Sequence, residues 1–327
     1  MTVALLLKGF CGKAALECNE ARSLSSGQLT SVLGIRSFMK SQLHFHPIDV
    51  ESLREAVRQN VEQALTEDLA DGDISASLID EHTLAFAQVI TRESGIFCGA
   101  PWVNETLKQL DETMHIKWQV ADGDTVSPNQ ELFQLRGKAR SLLSAERTML
   151  NFVQLLSGTA TRTARYVRLI ADTQTQLLDT RKTVPGLRLA QKYAVKCGGG
   201  SNHRTGLSDA FLLKENHILA AGSIGAAVKA AKTSAPNKPV EIEVESLAEL
   251  QQAMEAGADI ALIDNFSVTD SKAAVAMTRG NMVLEASGGI TQESIAAIAA
   301  TGVDYISCGD LTKSVEPMDL SMRFLVD

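Results

Sequence analysis

The sequence predicts an incomplete α/β (TIM-like) barrel that follows an N-terminal α+β sandwich domain. Three observations support this fold class. The chain has 327 residues, of which 45% are hydrophobic, and this is enough for two sizeable cores. Over residues 151–311, short β-branched runs alternate with Ala-rich helical patterns, as in parallel sheets with right-handed crossovers. These β-α units are too few for a complete eightfold barrel unless the N-terminal helices contribute.

The first 45 residues are interpreted as an extension of uncertain structure. Residues 3–7 form an apolar run, but no positive charge precedes it and acidic residues follow, so it makes a poor secretory signal. A targeting peptide is therefore disfavoured. A loosely packed extension fits the pattern, and so does a start codon assigned too early, with Met39 as the true first residue. We predict that residues 1–38 are dispensable.

Residues 46–150 are assigned to the N-terminal α+β domain. Residues 50–65 have helical apolar spacing, residues 85–90 are expected to form a strand, and a second helix begins near Pro101. Short alternating strands separated by turn residues follow over 121–137, a stretch similar to the hairpins of biotinyl and lipoyl carrier modules. Those carriers need a modifiable lysine at the hairpin tip, and none stands there. Carrier function is therefore a disfavoured alternative.

A long helix over residues 141–168 leads into the barrel domain, and Gly158 within it allows either a close helix contact or a break. The barrel strands are predicted at residues 177–178, 210–213, 240–244, 260–263, 282–284 and 305–307. The helices that alternate with them are predicted at residues 187–196, 218–232, 247–256, 268–279 and 293–300.

Charge and cysteine usage exclude several classes of protein. Lys and Arg number 31 against 39 Asp and Glu, so the formal net charge of −8 opposes adhesion to nucleic acid or anionic lipid. No apolar run reaches the roughly 20 residues that span a bilayer. The five cysteines are scattered without CxxC spacing, which argues against a disulfide framework and structural zinc. We expect a cytoplasmic protein without nucleic-acid or membrane partners.

Polar residues follow or end every predicted barrel strand, where the active sites of such barrels form. They lie at residues 179–183, 214–217, 241–245, 264–265, 287–289 and 309–310. Glu243 is the most informative, because a carboxylate on a central parallel strand needs a cation. That cation is either Lys214 in a structural ion pair or a metal ion, and both roles are compatible.

Two anion sites are predicted around these strand ends. The first is a basic pocket of Arg181, Lys182, His203, Arg204 and Lys214, whose arginines suit bidentate binding of carboxylate or phosphate. The glycine run 198–200 lets backbone approach a ligand there. The second is a phosphate cradle where the last two strands end before a helix or helical turn. It consists of Ser287, Gly288, Gly289, Ser307, Cys308 and Gly309. Two anionic substrates are therefore implied, with carboxylates between them.

These motifs closely resemble the quinolinate phosphoribosyltransferase family, also called nicotinate-nucleotide pyrophosphorylase (carboxylating). The resemblance rests on residues 178–188, 197–204 and 213–217, and it runs from about residue 50 to the C-terminus. Two positions depart from the family pattern. Ser75 stands where threonine is commoner, and Lys313 stands where the family tends to carry histidine. Neither is expected to touch the motifs of the site.

The resemblance implies a reaction and an assembly. The reaction converts quinolinate and 5-phosphoribosyl 1-pyrophosphate to nicotinate mononucleotide, CO2 and pyrophosphate, with Mg2+, in de novo NAD biosynthesis. The C-terminal tail, residues 312–327, is expected to join the N-terminal domain. The assembly is expected to be a homodimer or a hexamer built from dimers, in which the N-terminal domain of one subunit covers the barrel mouth of its neighbour.

The resemblance also implies roles for individual residues. The expected binders of the quinolinate carboxylates are Arg147, Arg181, His203, Arg204 and Lys214. The expected catalytic residues are Lys182, Glu243 and Asp264, of which the two carboxylates would bind ribose hydroxyls and, directly or through water, Mg2+. The 5-phosphate site would comprise Ser287, Gly288, Gly289, Ser307 and Gly309, with Thr180 and Cys308 as further substrate-binding residues.

Two alternatives stay open. A related transferase for another aromatic carboxylate, such as the paralogues associated with molybdenum uptake, would share the fold. The basic cluster, which suits two carboxylates, favours quinolinate over such substrates. A phosphate-sensing or scaffold protein of the same fold would keep Gly288 and Gly309 but would need neither Arg204 nor Glu243.

Overall fold

The structure is a computed structural model that describes residues 48–69 and 71–325, so the predicted extension 1–45 lies outside the described residues. The helices are α1 (Val50–Leu69), α2 (Ala100–Leu110), α3 (Ala139–Leu169), α4 (Arg188–Cys197), α5 (Glu215–Ala221), α6 (Ile224–Ser234), α7 (Leu247–Ala256), α8 (Val268–Thr278), α9 (Ile295–Ala299) and α10 (Asp310–Lys313). The strands are β1 (Leu84–Thr91), β2 (Gly95–Ile96), β3 (His115–Trp118), β4 (Thr125–Val126), β5 (Glu131–Lys138), β6 (Gln176–Leu178), β7 (Phe211–Leu213), β8 (Val240–Val244), β9 (Ile260–Asp264), β10 (Val283–Ser287), β11 (Tyr305–Ser307) and β12 (Leu320–Leu325). None of the helices in these ranges combines the length and the apolar character that a membrane crossing requires.

The N-terminal domain is built on a four-stranded antiparallel sheet in the order β12-β1-β5-β3. Alternation along β1 turns Ala87 and Val89 toward a core that they share with Leu142 and Met149 of α3. The edge strand β12 comes from the C-terminal tail and pairs with β1 from Leu320 onward. This domain therefore depends on residues that follow the barrel in the sequence.

Helix α3 connects the two domains without interruption over 31 residues, including Gly158. A Cβ atom at Gly158 would lie only 2.0 Å from the carbonyl oxygen of Glu316. The absence of a side chain therefore lets the tail cross the helix at this point. Of the two possibilities that the sequence offered for Gly158, the structure has the close contact and not the break.

The barrel domain contains one parallel six-stranded sheet in the order β6-β11-β10-β9-β8-β7. Outward residues of the strands, such as Ile242 and Leu284, form the main core with the surrounding helices. The edge strands β6 and β7 are not paired with each other, and Ser201 instead forms a single parallel bridge with Leu178 of β6. This open sheet confirms the predicted incomplete α/β barrel.

The element boundaries differ from the prediction in two informative places. The single helix predicted over residues 218–232 was wrong. Helix α5 ends at Ala221, is followed by Gly222 with a φ of 89°, and α6 begins after Ser223. The Ser223 hydroxyl accepts the N–H of Ala226 at 3.1 Å and so caps the new helix. Strands β9 and β10 also extend further than predicted, through Asp264 and Ser287. These polar residues thus belong to the strands and not to the loops beyond them.

Candidate active site

Strand alternation builds the site on the inner face of the barrel. Glu241 and Glu243 lie two residues apart on β8 and therefore project to the same side of the sheet. Glu243 is near the carboxyl end of the strand, whereas Glu241 is deeper and only 2% exposed. On the neighbouring strands, Asp264 and Ser287 are register partners at the same edge. The sheet therefore gathers carboxylates and a hydroxyl at its carboxyl edge, above a buried acidic residue.

A cavity of about 500 Å³ opens at the ends of β10 and β11, where the phosphate cradle was predicted. It is lined by the predicted residues Thr180, Lys182, Ser287, Gly288, Gly289, Ser307, Cys308 and Gly309. Gly288 has a φ of 90°, and a Cβ atom there would lie 2.2 Å from Oδ1 of Asn265. At Gly309, a Cβ atom would lie 2.8 Å from Cδ of Lys182. Both glycines thus leave space that the neighbouring polar side chains use.

The cavity wall also includes residues that the sequence analysis did not assign to the site, namely Arg162, Tyr166, Gln292, Glu293 and Lys313. Asp310, at the predicted strand end 309–310, lines it as well. Asp310 accepts hydrogen bonds from Arg162 Nη2 at 2.5 Å and from the Tyr166 hydroxyl at 2.7 Å. Although burial acts in the opposite direction, these bonds hold the pKa of Asp310 below its ordinary value. The expectation that Lys313 stays clear of the site was wrong, because the turn of α10 brings it to the cavity wall.

Lys214, Glu243 and Asp264 lie together beside this cavity, at the ends of β7, β8 and β9. Nζ of Lys214 forms an ion pair with Oε2 of Glu243. Burial raises the pKa of Glu243 in spite of this pair, and the charge of Asp264 adds to the effect. Two carboxylates that repel each other at one edge are oxygen donors of the kind that Mg2+ prefers.

Arg181 and Arg204 form the basic part of the site. Arg204 is 9% exposed, and its Nη1 donates to the carbonyl oxygen of Ala210 at 3.1 Å. Burial and then the like charge of Arg181 lower the pKa of Arg204. Nε of Arg181 is buried and has no hydrogen-bond partner in the described part of the chain. Such a pair of cations suits an anion with two charged groups.

His203 lies directly before Arg204, but both of its ring nitrogens face protein groups. Nδ1 accepts the backbone N–H of Arg204 at 2.7 Å, while Nε2 lies 3.1 Å from Glu241 and 3.3 Å from Glu285. We therefore assign the proton to Nε2, as a donor to Oε2 of Glu241, whereas the buried oxygens of Glu285 accept no hydrogen bond within the described residues. Burial, followed by the charge of Glu285, raises the pKa of Glu241 to about 7. The structure thus places the His203 ring beneath the basic pocket.

A buried ion pair supports the segment that contains His203 and Arg204, and the sequence analysis did not predict this pair. Asp179 and Lys192 are both fully buried and are joined through Nζ of Lys192. The position of Asp179, directly after β6 and at the start of the motif 179–183, was visible in the sequence and could have indicated a structural role. Lys192 gave no such signal, since a lysine in an amphipathic helix usually lies on the solvated face.

Arg147 stands apart from these groups. It lies on α3, is exposed, and does not line the cavity. Within residues 48–69 and 71–325 its side chain forms no hydrogen bond or ion pair. A single chain therefore brings together the predicted residues of the barrel but leaves Arg147 outside the cavity.

The glycine run 198–200 has a packing role in addition to the one predicted. A Cβ atom at Gly198 would lie 2.3 Å from the carbonyl oxygen of Ala160, and one at Gly200 would lie 2.8 Å from a methyl group of Val195. These glycines therefore allow the chain to pack against α3 and α4. The approach of their backbone to a ligand stays a prediction.

Cys98, Asp122 and Cys197 form a further cluster at the contact between the domains. Their ligand atoms lie within 4.8 Å of one another, a spacing that a metal ion tolerates. Asp122 already accepts hydrogen bonds from the N–H groups of Gly99 and Ala100 and from the Tyr193 hydroxyl. This carboxylate therefore caps α2 and ties it to α4.

Comparisons with known proteins show the family of the chain. Residues 73–157 match the family model "Quinolinate phosphoribosyl transferase, N-terminal domain", and residues 159–323 match that of the C-terminal domain. The solved nicotinate-nucleotide pyrophosphorylase of Francisella tularensis is 52% identical, with a TM-score of 0.82 over 83% of this chain and 97% of its own. The probable nicotinate-nucleotide pyrophosphorylase [carboxylating] of Bacillus subtilis is 43% identical over 78% of this chain and 89% of its own. The Mycobacterium leprae enzyme of that name is 40% identical over 82% and 97%.

Proposed function

The chain belongs to the quinolinate phosphoribosyltransferase family, and we propose that the edge formed by β6 to β11 binds both substrates of the family reaction. The enzyme is a decarboxylating phosphoribosyltransferase of NAD biosynthesis. It joins the phosphoribosyl group of 5-phosphoribosyl 1-pyrophosphate to quinolinate, and it releases nicotinate mononucleotide, CO2 and pyrophosphate.

The observation that best supports quinolinate as the ligand of the basic pocket is the pairing of Arg181 with Arg204. Two guanidinium groups that repel each other, one with a buried unpaired Nε, are stabilised by an anion with adjacent carboxylates. Lys214 supplies a third positive charge nearby. Nicotinate has a single carboxylate and would leave part of this charge without a partner.

The cavity at β10 and β11 is proposed to hold the 5-phosphate. Gly288 and Gly309 let Asn265 and Lys182 pack closely against the ends of β10 and β11, and Lys182 and Lys313 contribute positive charge at the cavity wall. In this arrangement the ribosyl carbon lies between the phosphate cavity and the basic pocket. Glu243 and Asp264 occupy that position at the ends of β8 and β9.

The proposed chemistry needs no covalent intermediate on the protein. The pyridine nitrogen of quinolinate bonds to C1 of the ribosyl group, while the C1–O bond breaks and its electron pair leaves with pyrophosphate. Glu243 and Asp264 stabilise the positive charge that develops at C1. The bond from C2 to its carboxylate then breaks, and the adjacent pyridinium nitrogen stabilises the electron pair left on C2. A proton from solvent completes the product.

Glu243 and Asp264 are also proposed to hold Mg2+, directly or through water. Their oxygens come from neighbouring strands, and their mutual repulsion favours a cation at this edge. When bound, Mg2+ would neutralise charge on the pyrophosphate leaving group. Lys214 already partners Glu243, so the protein itself supplies part of the positive charge.

The assembly and the compartment are proposed from two further observations. Arg147 is exposed and remote from the cavity, which supports a homodimer, or a hexamer of dimers, in which it reaches the site of a neighbour. Cys98, Cys197 and Cys308 are free thiols, which supports a reducing cytoplasm.

The direct test is a spectrophotometric assay with quinolinate, 5-phosphoribosyl 1-pyrophosphate and Mg2+, run beside the same mixture with nicotinate. We expect nicotinate mononucleotide from quinolinate, no turnover of nicotinate, and loss of activity when Mg2+ is chelated. Turnover of another aromatic carboxylate in preference to quinolinate would instead support the related-transferase alternative.

A further inference from the structure

We propose that two buried pairs of ionisable residues hold Arg204 in its binding orientation. The first group is Asp179 with Lys192, and the second is Glu241 with Glu285. They act as positioning residues through the segment 202–204, which we call the arginine loop. The inference rests on the proposed function, because it assigns the rigidity of this loop to the recognition of quinolinate.

The first group fixes the backbone of the arginine loop. Asp179 accepts the N–H of His203 at 2.8 Å and Nδ2 of Asn202 at 2.6 Å, in addition to Nζ of Lys192. Nζ of Lys192 also donates to the carbonyl oxygen of His203 at 2.8 Å. The pair is fully buried, so its polar atoms are used inside the protein and do not contact substrate. A buried pair with such complete hydrogen bonding restricts the loop to one conformation.

The second group fixes the loop from the inner face of the barrel. Nε2 of His203 donates to Oε2 of Glu241 on β8 at 3.1 Å and lies 3.3 Å from Oε2 of Glu285 on β10, while Nδ1 accepts the N–H of Arg204. The ring therefore links the backbone of Arg204 to two strands of the parallel sheet. Both glutamates are buried, at 2% and 0% exposure, so they act on Arg204 through the His203 ring.

This rigidity has a specific purpose at Arg204. The like charge of Arg181 lowers the pKa of Arg204, and a mobile loop would let the two arginines separate into solvent. Because the folded protein already holds the two arginines together, binding of quinolinate does not include the entropic cost of ordering the arginine loop. Disruption of either buried group should therefore weaken binding of quinolinate, which Arg204 contacts, and leave the distant 5-phosphate site unaffected.

The test measures KM for each substrate separately in Lys192→Met, Glu285→Leu and Glu285→Gln. We expect KM for quinolinate to rise roughly tenfold or more in the first two variants, with KM for 5-phosphoribosyl 1-pyrophosphate unchanged. Glu285→Gln keeps an oxygen acceptor for His203 and should recover most of the loss. Lys232→Met is the matched control, because it removes a lysine from the exposed pair with Asp259 and should change neither KM.

Thermal unfolding of each variant separates the outcomes. Folded Lys192→Met and Glu285→Leu proteins that bind quinolinate as the wild type does would overturn the proposal. An equal rise of both KM values would also overturn it, because this indicates a general structural defect. If Lys192→Met does not fold, the comparison of the two Glu285 variants decides alone. Failure of the wild type to use quinolinate would refute the proposed function, and the same assay shows this independently of the variants.

Discussion

Lys214 and Glu243 form an ion pair across the neighbouring strands β7 and β8. Their side chains differ in exposure, at 45% for Lys214 and 10% for Glu243. The lysine therefore supplies the counter-charge that a largely buried carboxylate needs, and its own ammonium group stays accessible to an anion. This is the structural pair that the sequence suggested as one of two possible partners for Glu243. It leaves the proposed roles in binding the ribosyl group and Mg2+ compatible with the fold.

Replacement of Gly288 by alanine is expected to weaken binding of 5-phosphoribosyl 1-pyrophosphate. The new Cβ atom would collide with Asn265 and displace the end of β10 that forms the cavity wall, in addition to the cost of about 1–2 kcal/mol for a left-handed conformation. Calorimetric titration measures the affinity. Gly302→Ala is the control, since Gly302 has the same φ of 90° but its Cβ would meet only an ordinary contact at 3.6 Å. Equal affinities in Gly288→Ala and the wild type would contradict the assignment.

Replacement of Arg204 by lysine is expected to raise KM for quinolinate roughly tenfold or more. A charge-assisted hydrogen bond contributes about 1.5–3 kcal/mol, and lysine cannot reproduce the bidentate geometry of arginine. Arg54→Lys, on the exposed surface of α1, is the matched control. Steady-state kinetics with each substrate varied in turn make the measurement. If Arg204→Lys retains the wild-type KM, another cation recognises the second carboxylate.

Arg147 is expected to complete the active site of a neighbouring subunit. Arg147→Ala and Lys182→Ala should each be inactive alone, and mixing them under conditions of subunit exchange should restore part of the activity. Mixed dimers would then contain one site in which both residues are wild type. The activity of the mixture, with exchange verified by mass spectrometry, gives the result.

The control for this experiment mixes Lys182→Ala subunits with Arg204→Ala subunits. Lys182 and Arg204 both belong to the barrel domain of their own subunit, so each subunit of a mixed dimer has a damaged site and no site is intact. Restoration in this control as well would show that the gain does not depend on sharing across subunits. No restoration in the Arg147 mixture, despite verified exchange, would assign Arg147 to its own subunit or to no site.

A protein that begins at Met39 is expected to keep full activity. The cavity is lined by residues between Arg162 and Lys313, and the matches to the family begin at residue 73. Values of kcat/KM for both substrates, compared with those of the full chain, test this expectation. A large loss in the shortened protein would show that residues 1–38 contribute to the site.

Replacement of Gly158 by alanine is expected to lower the melting temperature. Alanine favours a helix interior by about 1 kcal/mol, but its Cβ would overlap the carbonyl oxygen of Glu316 and displace the tail. Gly225→Ala, in α6, is the control because no atom lies within 4 Å of the position that its new methyl group would take. That variant should be as stable as the wild type or more stable. An unchanged melting temperature for Gly158→Ala would mean that the tail adjusts at no cost.

The sequence predicted the parts of the site that follow from local pattern. Alternating strands with polar ends were enough to place Glu243, Asp264 and Ser287 at one edge, since parallel strands share a carboxyl edge. The break between α5 and α6 was missed, because an Ala-rich stretch retains helical spacing across Gly222. Local pattern therefore located the site but not every turn around it.

The buried polar contacts could not be predicted, because they join residues that are distant in the chain. Lys192 has the spacing of an ordinary helical lysine, and only the packing of α4 against the barrel buries it beside Asp179. Likewise, the approach of His203 to Glu285 depends on the register of strands that are far apart in sequence. Such contacts follow from the complete fold and leave no periodic pattern.

The pairing of β12 with β1 has a consequence for the order in which this protein matures. During synthesis on the ribosome, β1 emerges long before its partner, so one edge of the N-terminal sheet has unsatisfied N–H and C=O groups in the nascent chain. The whole barrel must emerge before the tail crosses Gly158 and closes that edge. Until then, the open edge can pair with other chains, and translation that stops before Leu320 would leave an aggregation-prone product.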